Sequence, residues 1–160
     1  MPVPVRSLAR VIVRGLCVAT TAGGGADPVG RLPWRVHLRH VDVNLHMNYA
    51  SYLEAMELAR WDWAVRTGQH RWWMRDGVRP LVGSLEIEYR RELGPLARFV
   101  VETRAIGFDR RALVVEQCFV RGDAVHARSR LNLLFRRKGA VLDRPEVEAL
   151  TAALVVAPRQ

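Results

Sequence analysis

The chain has little cysteine, one lysine and no long hydrophobic run. Cys17 and Cys118 are its two cysteines, and no Cys/His ligand spacing surrounds them, so neither a zinc site nor a disulfide framework is predicted. Cys118 lies in an apolar run and is expected to be a buried thiol in a reducing cytoplasm. Phosphate-binding, dinucleotide, G-x-S-x-G and H-E-x-x-H motifs are absent. These absences argue against the common nucleotide-hydrolysing, dehydrogenase, serine-hydrolase and zinc-protease classes.

Acidic residues are outnumbered by basic ones, and the net charge is +9. Arginine carries almost all of the positive charge, since Lys138 is the only lysine. Arginine suits bidentate contacts to phosphate and carboxylate groups. Nucleic-acid binding is one interpretation of this charge, but no recognisable reading motif accompanies it. Specific nucleic-acid binding is therefore not predicted.

The length of 160 residues and a hydrophobic share of 49% predict one globular domain, over residues 31–160. Residues 1–30 differ in pattern and are predicted to be an extension. The arginines of this extension recur every fourth position. Three alternatives stay open for the segment: contact with a membrane surface, a cleaved signal, or a loosely ordered segment. The glycines from Gly23 to Gly30 indicate a linker. The expected location is cytoplasmic, with membrane association as the alternative.

Periodicity predicts a strand at Trp34–Leu38 and then one long helix. Asn48 is a plausible N-cap of this helix, and Gly68 a plausible stop. The apolar stripe of the helix is broad, which implies burial against a sheet. Residues 69–79 are interpreted as an irregular aromatic segment.

Four strands are predicted after Pro80, followed by a short helix from Pro145. Turn signals at Gly94-Pro95, Gly107-Phe108-Asp109 and Gly122-Asp123 separate the strands. The third of these strands is continuously apolar and is expected to be central. The predicted fold is α+β, with one curved antiparallel sheet wrapped around one long helix.

The segment before the long helix concentrates the polar chemistry. Asp42 lies at a strand-to-helix transition, close to a helix start that offers free backbone N–H groups and a partial positive charge. Such a start can polarise a carbonyl, and a nearby carboxylate can attack it or deprotonate a water. Asn44 and His46 are candidates to orient that water or the carboxylate. The alternative is structural, because Asp and Asn often form turns and caps without any chemistry.

The run from Asp42 to Tyr52, followed by Glu57 and Arg60, resembles the signature of hotdog-fold acyl-CoA thioesterases. The similarity is to the 4-hydroxybenzoyl-CoA and acyl-carrier-protein thioesterase type, in particular to the thioesterase-superfamily-member-six-like branch. It includes the later stretches 89–93 and 114–119 and covers about residues 32–138. Two positions depart from the common motif: Tyr49 replaces a second asparagine, and Leu45 stands where many members have glycine.

The resemblance implies a thioester hydrolase. Asp42 matches the catalytic nucleophile or general base, the backbone N–H of Tyr49 the group that polarises the carbonyl, and Asn44 and His46 the motif's Asn and His. The implied substrate is an acyl-CoA or acyl-carrier-protein thioester, with coenzyme A as part of the substrate and neither metal nor redox cofactor. A homodimer or homotetramer with interface sites is also implied.

We expect substrate contacts from the long helix and from arginines that suit the phosphates of coenzyme A. These candidates are Asn48, Tyr52, Met56, Arg90 and Arg91. Further arginine groups that suit phosphates are Arg110-Arg111, Arg128 with Arg130, and Arg136-Arg137. The leading hypothesis is an acyl-CoA thioesterase, and the alternative is a non-catalytic acyl-CoA or lipid-binding protein on the same fold.

Overall fold

The computed structural model describes residues 27–160, so most of the predicted extension lies outside the described residues. A single strand is followed by a long helix, a short helix and four long strands, and the chain closes with a short strand and a helix. The elements are β1 (Gly30–Arg35), α1 (Tyr49–Arg66), α2 (Gln69–Arg75), β2 (Val78–Tyr89), β3 (Arg98–Asp109), β4 (Ala112–Arg121), β5 (Ala124–Arg137), β6 (Ala140–Val141) and α3 (Arg144–Thr151).

Helix α1 begins and ends where its sequence predicts. The side-chain Oδ1 of Asn48 accepts a hydrogen bond from the Ser51 N–H at 3.0 Å, which satisfies one of the donors that a helix start leaves free. After Arg66 the chain passes through Gly68, whose φ of +77° lies in the left-handed region that favours glycine. Met56 and Trp63 are among the side chains that α1 buries against the sheet.

The sheet has the strand order β1-β3-β4-β5-β2, every neighbouring pair is antiparallel, and β6 extends β5. Strand β4 is central and buried along its length except at Arg121, as its continuous apolar run predicts. The concave face of the sheet holds α1, and the core forms between them. The predicted α+β fold, one curved sheet around one long helix, is confirmed. Cys118 is buried as predicted, and this burial raises the pKa of its thiol.

The outer face of the sheet is covered by α3 and the segment that follows it. The Val156 N–H donates to the Ala105 carbonyl at 2.9 Å, and the Arg159 guanidinium donates to the Glu102 carboxylate at 2.6 Å. The Arg159 N–H also donates to the carboxylate of Glu116 at 2.8 Å. These contacts explain how two acidic side chains are buried on this face, since buried charges need partners.

The first strand lies earlier than predicted. Strand β1 pairs with β3 from Gly30 to Arg35, and the chain then turns through a 3₁₀ segment, Leu38–His40. Leu38 is 75% exposed, so the predicted alternation does not continue to that residue. The linker prediction also extends too far, because Gly30 is the first residue of β1. Glycine is required there by Trp63 of α1, which lies where a Cβ would project.

Two further local predictions are wrong. Residues 69–75 form the helix α2 rather than an irregular segment. The glycine at 107 is not in a turn but in a bulge within β3, where the register with β4 shifts. The turn itself is made by Arg110 and Arg111, and Arg110 has a φ of +52°. Arginine gives no sequence signal for that conformation, whereas glycine does.

The loop between β1 and α1 is closed by its own backbone. Val41 and Met47 form an antiparallel bridge, and the Asp42 N–H donates to the His46 carbonyl at 2.9 Å. The Asn48 N–H donates to the His40 carbonyl at 2.8 Å, which ties the loop to the helix start. Leu45 closes the turn with a φ of +61°. This conformation is disfavoured for leucine and explains why glycine suits the position.

A Gly30→Ala variant tests whether this glycine is a packed part of β1. The new methyl group would lie 2.9 Å from the Trp63 Cβ, which is close to the backbone and has little room to move. We expect the free energy of unfolding to fall by about 1–3 kcal/mol in urea titrations. The matched control, Gly94→Ala, adds its methyl group where no atom lies within 4 Å, and should change stability by less than about 0.5 kcal/mol. Equal effects of both variants would contradict the packing of Gly30.

A Leu45→Gly variant tests the backbone strain in the loop. Relief of the left-handed conformation is worth roughly 1–2 kcal/mol, and the extra freedom of glycine in the unfolded chain offsets about 0.4–1 kcal/mol of it. We therefore expect the free energy of unfolding to rise by up to about 1 kcal/mol. Val43 is more exposed and lacks a positive φ, so Val43→Gly should lower the stability instead. A loss of stability in both variants would show that Leu45 is not strained.

Candidate active site

One carboxylate oxygen of Asp42 accepts hydrogen bonds, and the other accepts none from the described residues. Its Oδ1 accepts hydrogen bonds from the backbone N–H groups of Asn44 at 2.9 Å and His46 at 3.4 Å. Its Oδ2 accepts no hydrogen bond from residues 27–160, and the side chain is exposed. The structural alternative is therefore realised, because Asp42 stabilises its own turn. The second oxygen is nevertheless available to a ligand or a water.

The start of α1 presents unused donors. The Asn48 side chain accepts a hydrogen bond from the Ser51 N–H. The backbone N–H groups of Tyr49 and Ala50, by contrast, donate to no acceptor within the described part of the chain. Both residues are exposed. Free N–H groups at a helix start carry a partial positive charge and suit a developing oxyanion. Tyr49 therefore offers a backbone donor at the start of α1, and its role toward a substrate carbonyl stays a prediction.

His46 and Asn44 differ in their surroundings. The His46 Nε2 lies 2.8 Å from the Oε2 of Glu92, in the loop that follows β2. The Met47 N–H donates to the carbonyl of Leu93 in the same loop, at 2.9 Å. Asn44 is exposed. His46 thus connects the Asp42 loop to the loop after β2. Glu92 is not among the predicted site residues, because its partner lies more than forty positions earlier.

Aromatic rings line the outer side of the helix start. The Tyr49 side chain is exposed and its ring centroid lies 5.3 Å from that of Tyr89 in β2. Tyr52 is buried, with centroids 5.0 Å from Tyr89 and 4.9 Å from Phe119. Burial, with the neighbouring Tyr89 and Glu92, raises the pKa of Tyr52 to about 12, so its phenol is neutral near pH 7. Tyr89 is a second residue absent from the predicted site.

The other predicted substrate contacts have varied surroundings. Met56 is fully buried in the core, and the Asn48 side chain is occupied in capping α1. The Arg90 guanidinium donates to Glu88 at 2.8 Å, whereas Arg91 is exposed and forms no ion pair within residues 27–160. Their roles toward a substrate stay predictions.

The arginine groups expected to bind phosphate are partly engaged elsewhere. Arg128 donates to the Arg159 carbonyl, and Arg136 and Arg137 donate to Gly139 and Glu146. An open cleft of about 450 Å³ instead collects three arginines from different strands. These arginines, which form no ion pair within the described residues, are Arg35, Arg98 and Arg121. The sequence does not indicate this cleft, because only the strand pairing brings the three together.

Among residues 27–160, no group of three or more His, Cys, Asp or Glu side chains is placed to hold a metal ion. Within the same residues, no helix combines the length and the hydropathy that crossing a membrane requires.

Comparisons with known proteins show which family this chain belongs to. A family model described as the thioesterase-like superfamily matches residues 36–152. Protein THEM6 of Danio rerio is 34% identical over 86 residues, which cover 54% of this chain and 43% of that protein. The long-chain acyl-CoA thioesterase FadM of Escherichia coli (strain K12) is 38% identical over 52 residues, covering 32% of this chain and 39% of FadM. The chain thus matches less than half the length of either relative.

The fold comparison agrees. The crystal structure of YbaW, a probable thioesterase from Escherichia coli, superposes with a TM-score of 0.73 at 20% sequence identity. The superposition covers 79% of this chain and 99% of YbaW. Together with the curved sheet around α1, this similarity identifies the fold as the hotdog fold. The chain belongs to the thioesterase-like superfamily.

Proposed function

We propose that this protein is an acyl-CoA thioesterase, which hydrolyses a thioester to a free acid and coenzyme A. Membership of the thioesterase-like superfamily supports thioester hydrolysis, and the partial similarity to a long-chain acyl-CoA thioesterase supports a coenzyme A thioester. The observation that carries the proposal concerns Asp42, whose Oδ2 accepts no hydrogen bond from residues 27–160. Its loop leads directly into a helix start where two N–H groups likewise donate to no acceptor among these residues. An acyl-carrier-protein thioester is the alternative substrate.

In this mechanism the thioester carbonyl oxygen accepts hydrogen bonds from the N–H groups at the start of α1. Their partial positive charge favours the oxyanion that forms when the carbonyl carbon is attacked. Asp42 acts as the base that takes a proton from the attacking water, or its Oδ2 attacks first and the resulting anhydride is hydrolysed. On the first route the C–S bond breaks when the tetrahedral intermediate collapses, whereas on the second route it breaks as the anhydride forms and before water hydrolyses that anhydride. On either route the coenzyme A thiolate takes up a proton.

The surrounding residues support this chemistry. Asn44 lies beside Asp42 in the loop and orients the water. His46 holds the loop after β2 through Glu92, and Arg90 and Arg91 follow β2 directly, next to that contact. We place the phosphates of coenzyme A near these two arginines, because guanidinium–phosphate pairs are strong and directional. The cleft around Arg98 is a second place that suits a phosphate.

An Asp42→Asn variant separates chemistry from turn formation. The amide oxygen of asparagine can still accept from the N–H groups of Asn44 and His46, so the loop should keep its shape. Asparagine is neither a base nor a nucleophile of useful strength. We expect thiol release from acyl-CoA to fall by at least about 10²-fold, with no more than a small change in thermal stability.

Asp123→Asn serves as the matched control, since Asp123 is exposed in the turn between β4 and β5. It should retain the activity of the unmodified protein. Full activity of Asp42→Asn would restrict Asp42 to its structural role. The unmodified protein could instead bind acyl-CoA saturably and release no thiol, which would favour the non-catalytic alternative. The hydrogen bonds that Asp42 forms within its own turn are consistent with that alternative.

We further propose that the protein forms a homodimer through β2. Strand β2 pairs with β5 on one side, and within residues 27–160 no strand pairs with its other edge. Several of its apolar side chains are exposed in the single chain: Leu81, Val82, Leu85 and Tyr89. Long exposed apolar edges are rare unless another chain covers them. A second copy offers the same edge and the same apolar side chains in return.

A Leu85→Lys variant tests this interface. Placing a charge on the apolar edge strand should destabilise a β2–β2 contact, so we expect the dimer to dissociate into monomers in sedimentation equilibrium. Leu96→Lys is the control, because Leu96 is also exposed but lies in the loop before β3. It should sediment as the unmodified protein does. A protein that is monomeric without any substitution would contradict the proposal.

A further inference from the structure

Arg60 is a partly buried arginine that has no ion-pair partner among residues 27–160. It lies on α1, and one of its terminal nitrogens donates to the Oε1 of Gln117 at 3.0 Å. That is its one hydrogen bond within the described part of the chain, and no carboxylate there forms a salt bridge with it. Burial lowers the pKa of its guanidinium, and the negative charge of Glu57 partly offsets that effect. Buried charges in folded proteins are usually paired, so Arg60 requires an explanation.

Gln117 is fixed so that its oxygen faces Arg60. Its side chain is fully buried, and its Nε2 donates to the Met56 carbonyl and to the Thr103 hydroxyl, both at 2.9 Å. Both hydrogens of the amide are therefore used, and its oxygen is left for the guanidinium. The core thus holds Arg60 in place rather than allowing it to turn toward solvent.

Arg60 lines a cavity of about 220 Å³ between α1, α2, β2 and β5. Its walls are mostly apolar and include three tryptophans. The lining residues other than Arg60 are Glu57, Trp61, Trp63, Trp73, Pro80, Leu81, Val82 and Leu133. A concave apolar space with a few fixed polar groups is the usual form of a small-molecule site.

Glu57 provides the second polar group of this cavity. It precedes Arg60 by three positions and so lies on the same side of the helix. Even so, the two side chains form neither a salt bridge nor a hydrogen bond with each other, and Glu57 has no such partner within residues 27–160. The cavity therefore presents an unused donor and an unused acceptor. A ligand with one hydroxyl group satisfies both, because a hydroxyl accepts and donates.

The cavity and the start of α1 both adjoin strand β2. Tyr49 at the start of α1 contacts Tyr89 at the end of β2, whereas Arg60 shares the cavity with Leu81 near the beginning of β2. The end of β2 thus lies by the start of α1, and the beginning of β2 lies by a later turn of the helix. Leu53 and Leu85 are between these two ends, and both are exposed in the single chain, although Leu85 belongs to the edge that the proposed dimer covers. Eleven helical residues span about 16 Å. An extended acyl chain of roughly twelve carbons covers that distance at ordinary bond lengths.

We propose that this cavity receives the distal end of the acyl group and that Arg60 and Glu57 select a hydroxyl group there. This inference rests on the proposed thioesterase function and specifies its substrate class as medium- to long-chain acyl groups hydroxylated at the far end. A terminal carboxylate is disfavoured, because it would meet the carboxylate of Glu57. A terminal methyl group is disfavoured, because it would offer no partner to Glu57 or to the remaining N–H groups of Arg60.

The test compares ω-hydroxydodecanoyl-CoA with dodecanoyl-CoA on the full chain. We expect kcat/KM to be about tenfold higher for the hydroxylated thioester. The Arg60→Met variant should lose this preference. The control variant Arg71→Met replaces an exposed arginine of α2 and should retain it. If the unmodified protein has equal kcat/KM values for the two thioesters, water serves as the partner of Arg60 and Glu57. That result would overturn the inference.

A further variant keeps the test decisive if Arg60→Met does not fold. Glu57→Gln removes the repelling charge, so it should raise kcat/KM for dodecanedioyl-CoA by about tenfold relative to the unmodified protein. An unchanged rate for this thioester would contradict the role of Glu57.

Binding measurements distinguish failure of this inference from failure of the proposed function. Calorimetric titration of Asp42→Asn with the hydroxylated and methyl-ended thioesters requires no turnover. About tenfold tighter binding of the hydroxylated thioester supports the inference, even if the unmodified protein releases no thiol. Equal binding, or no binding of either, rejects it. Hydrolysis without the hydroxyl preference would leave the thioesterase proposal intact and reject only the substrate class.

Discussion

The cap that Asn48 forms on helix α1 is the contact on which the rest of the structure depends. Its side chain satisfies the Ser51 N–H, and its backbone N–H is held by His40, so the helix can begin at only one residue. That choice fixes the rotation of α1 and therefore which side chains enter the core. It also fixes which N–H groups at the helix start donate to no acceptor in the described part of the chain, namely those of Tyr49 and Ala50. Fold and candidate chemistry are thus set by one short segment.

The same helix connects the two ends of the candidate substrate site. Its start faces the Asp42 loop, and about three turns later Arg60 reaches the cavity beside β2. Between them the helix is anchored by the fully buried Gln117, which accepts from Arg60 and donates to the Met56 carbonyl. A buried polar network of this kind specifies one packing arrangement, since any shift leaves a donor or acceptor without its partner. The helix therefore acts as a fixed spacer between the two groups.

Local sequence signals were sufficient for much of the fold. The bounds of α1 follow from Asn48, Gly68 and the apolar stripe between them, and the central position of β4 follows from its unbroken apolar run. The Asp42 loop is identifiable because its polar residues are adjacent in sequence. The exposed Leu38 and the bulge at Gly107 were not predictable in this way, since alternation and glycine alone do not reveal where a strand leaves the sheet.

The residues that sequence reasoning missed have distant partners. Glu92 contacts His46, Tyr89 contacts Tyr49, and Gln117 contacts Arg60 across 57 positions. None of these pairs has a periodic or local signature, so each depends on strand order and register. The role of Gly30 is similar, because its lack of a side chain matters only once Trp63 of α1 lies over it.

The most direct test of the central claim is a crystal structure of the protein with a non-hydrolysable ketone analogue of an acyl-CoA. The account predicts that the ketone oxygen lies about 3 Å from the backbone N–H groups of Tyr49 and Ala50. It also predicts that the Asp42 Oδ2 lies beside the carbonyl carbon, either in contact or separated by one water. A ketone bound away from the start of α1, or with Asp42 turned from it, would contradict the account.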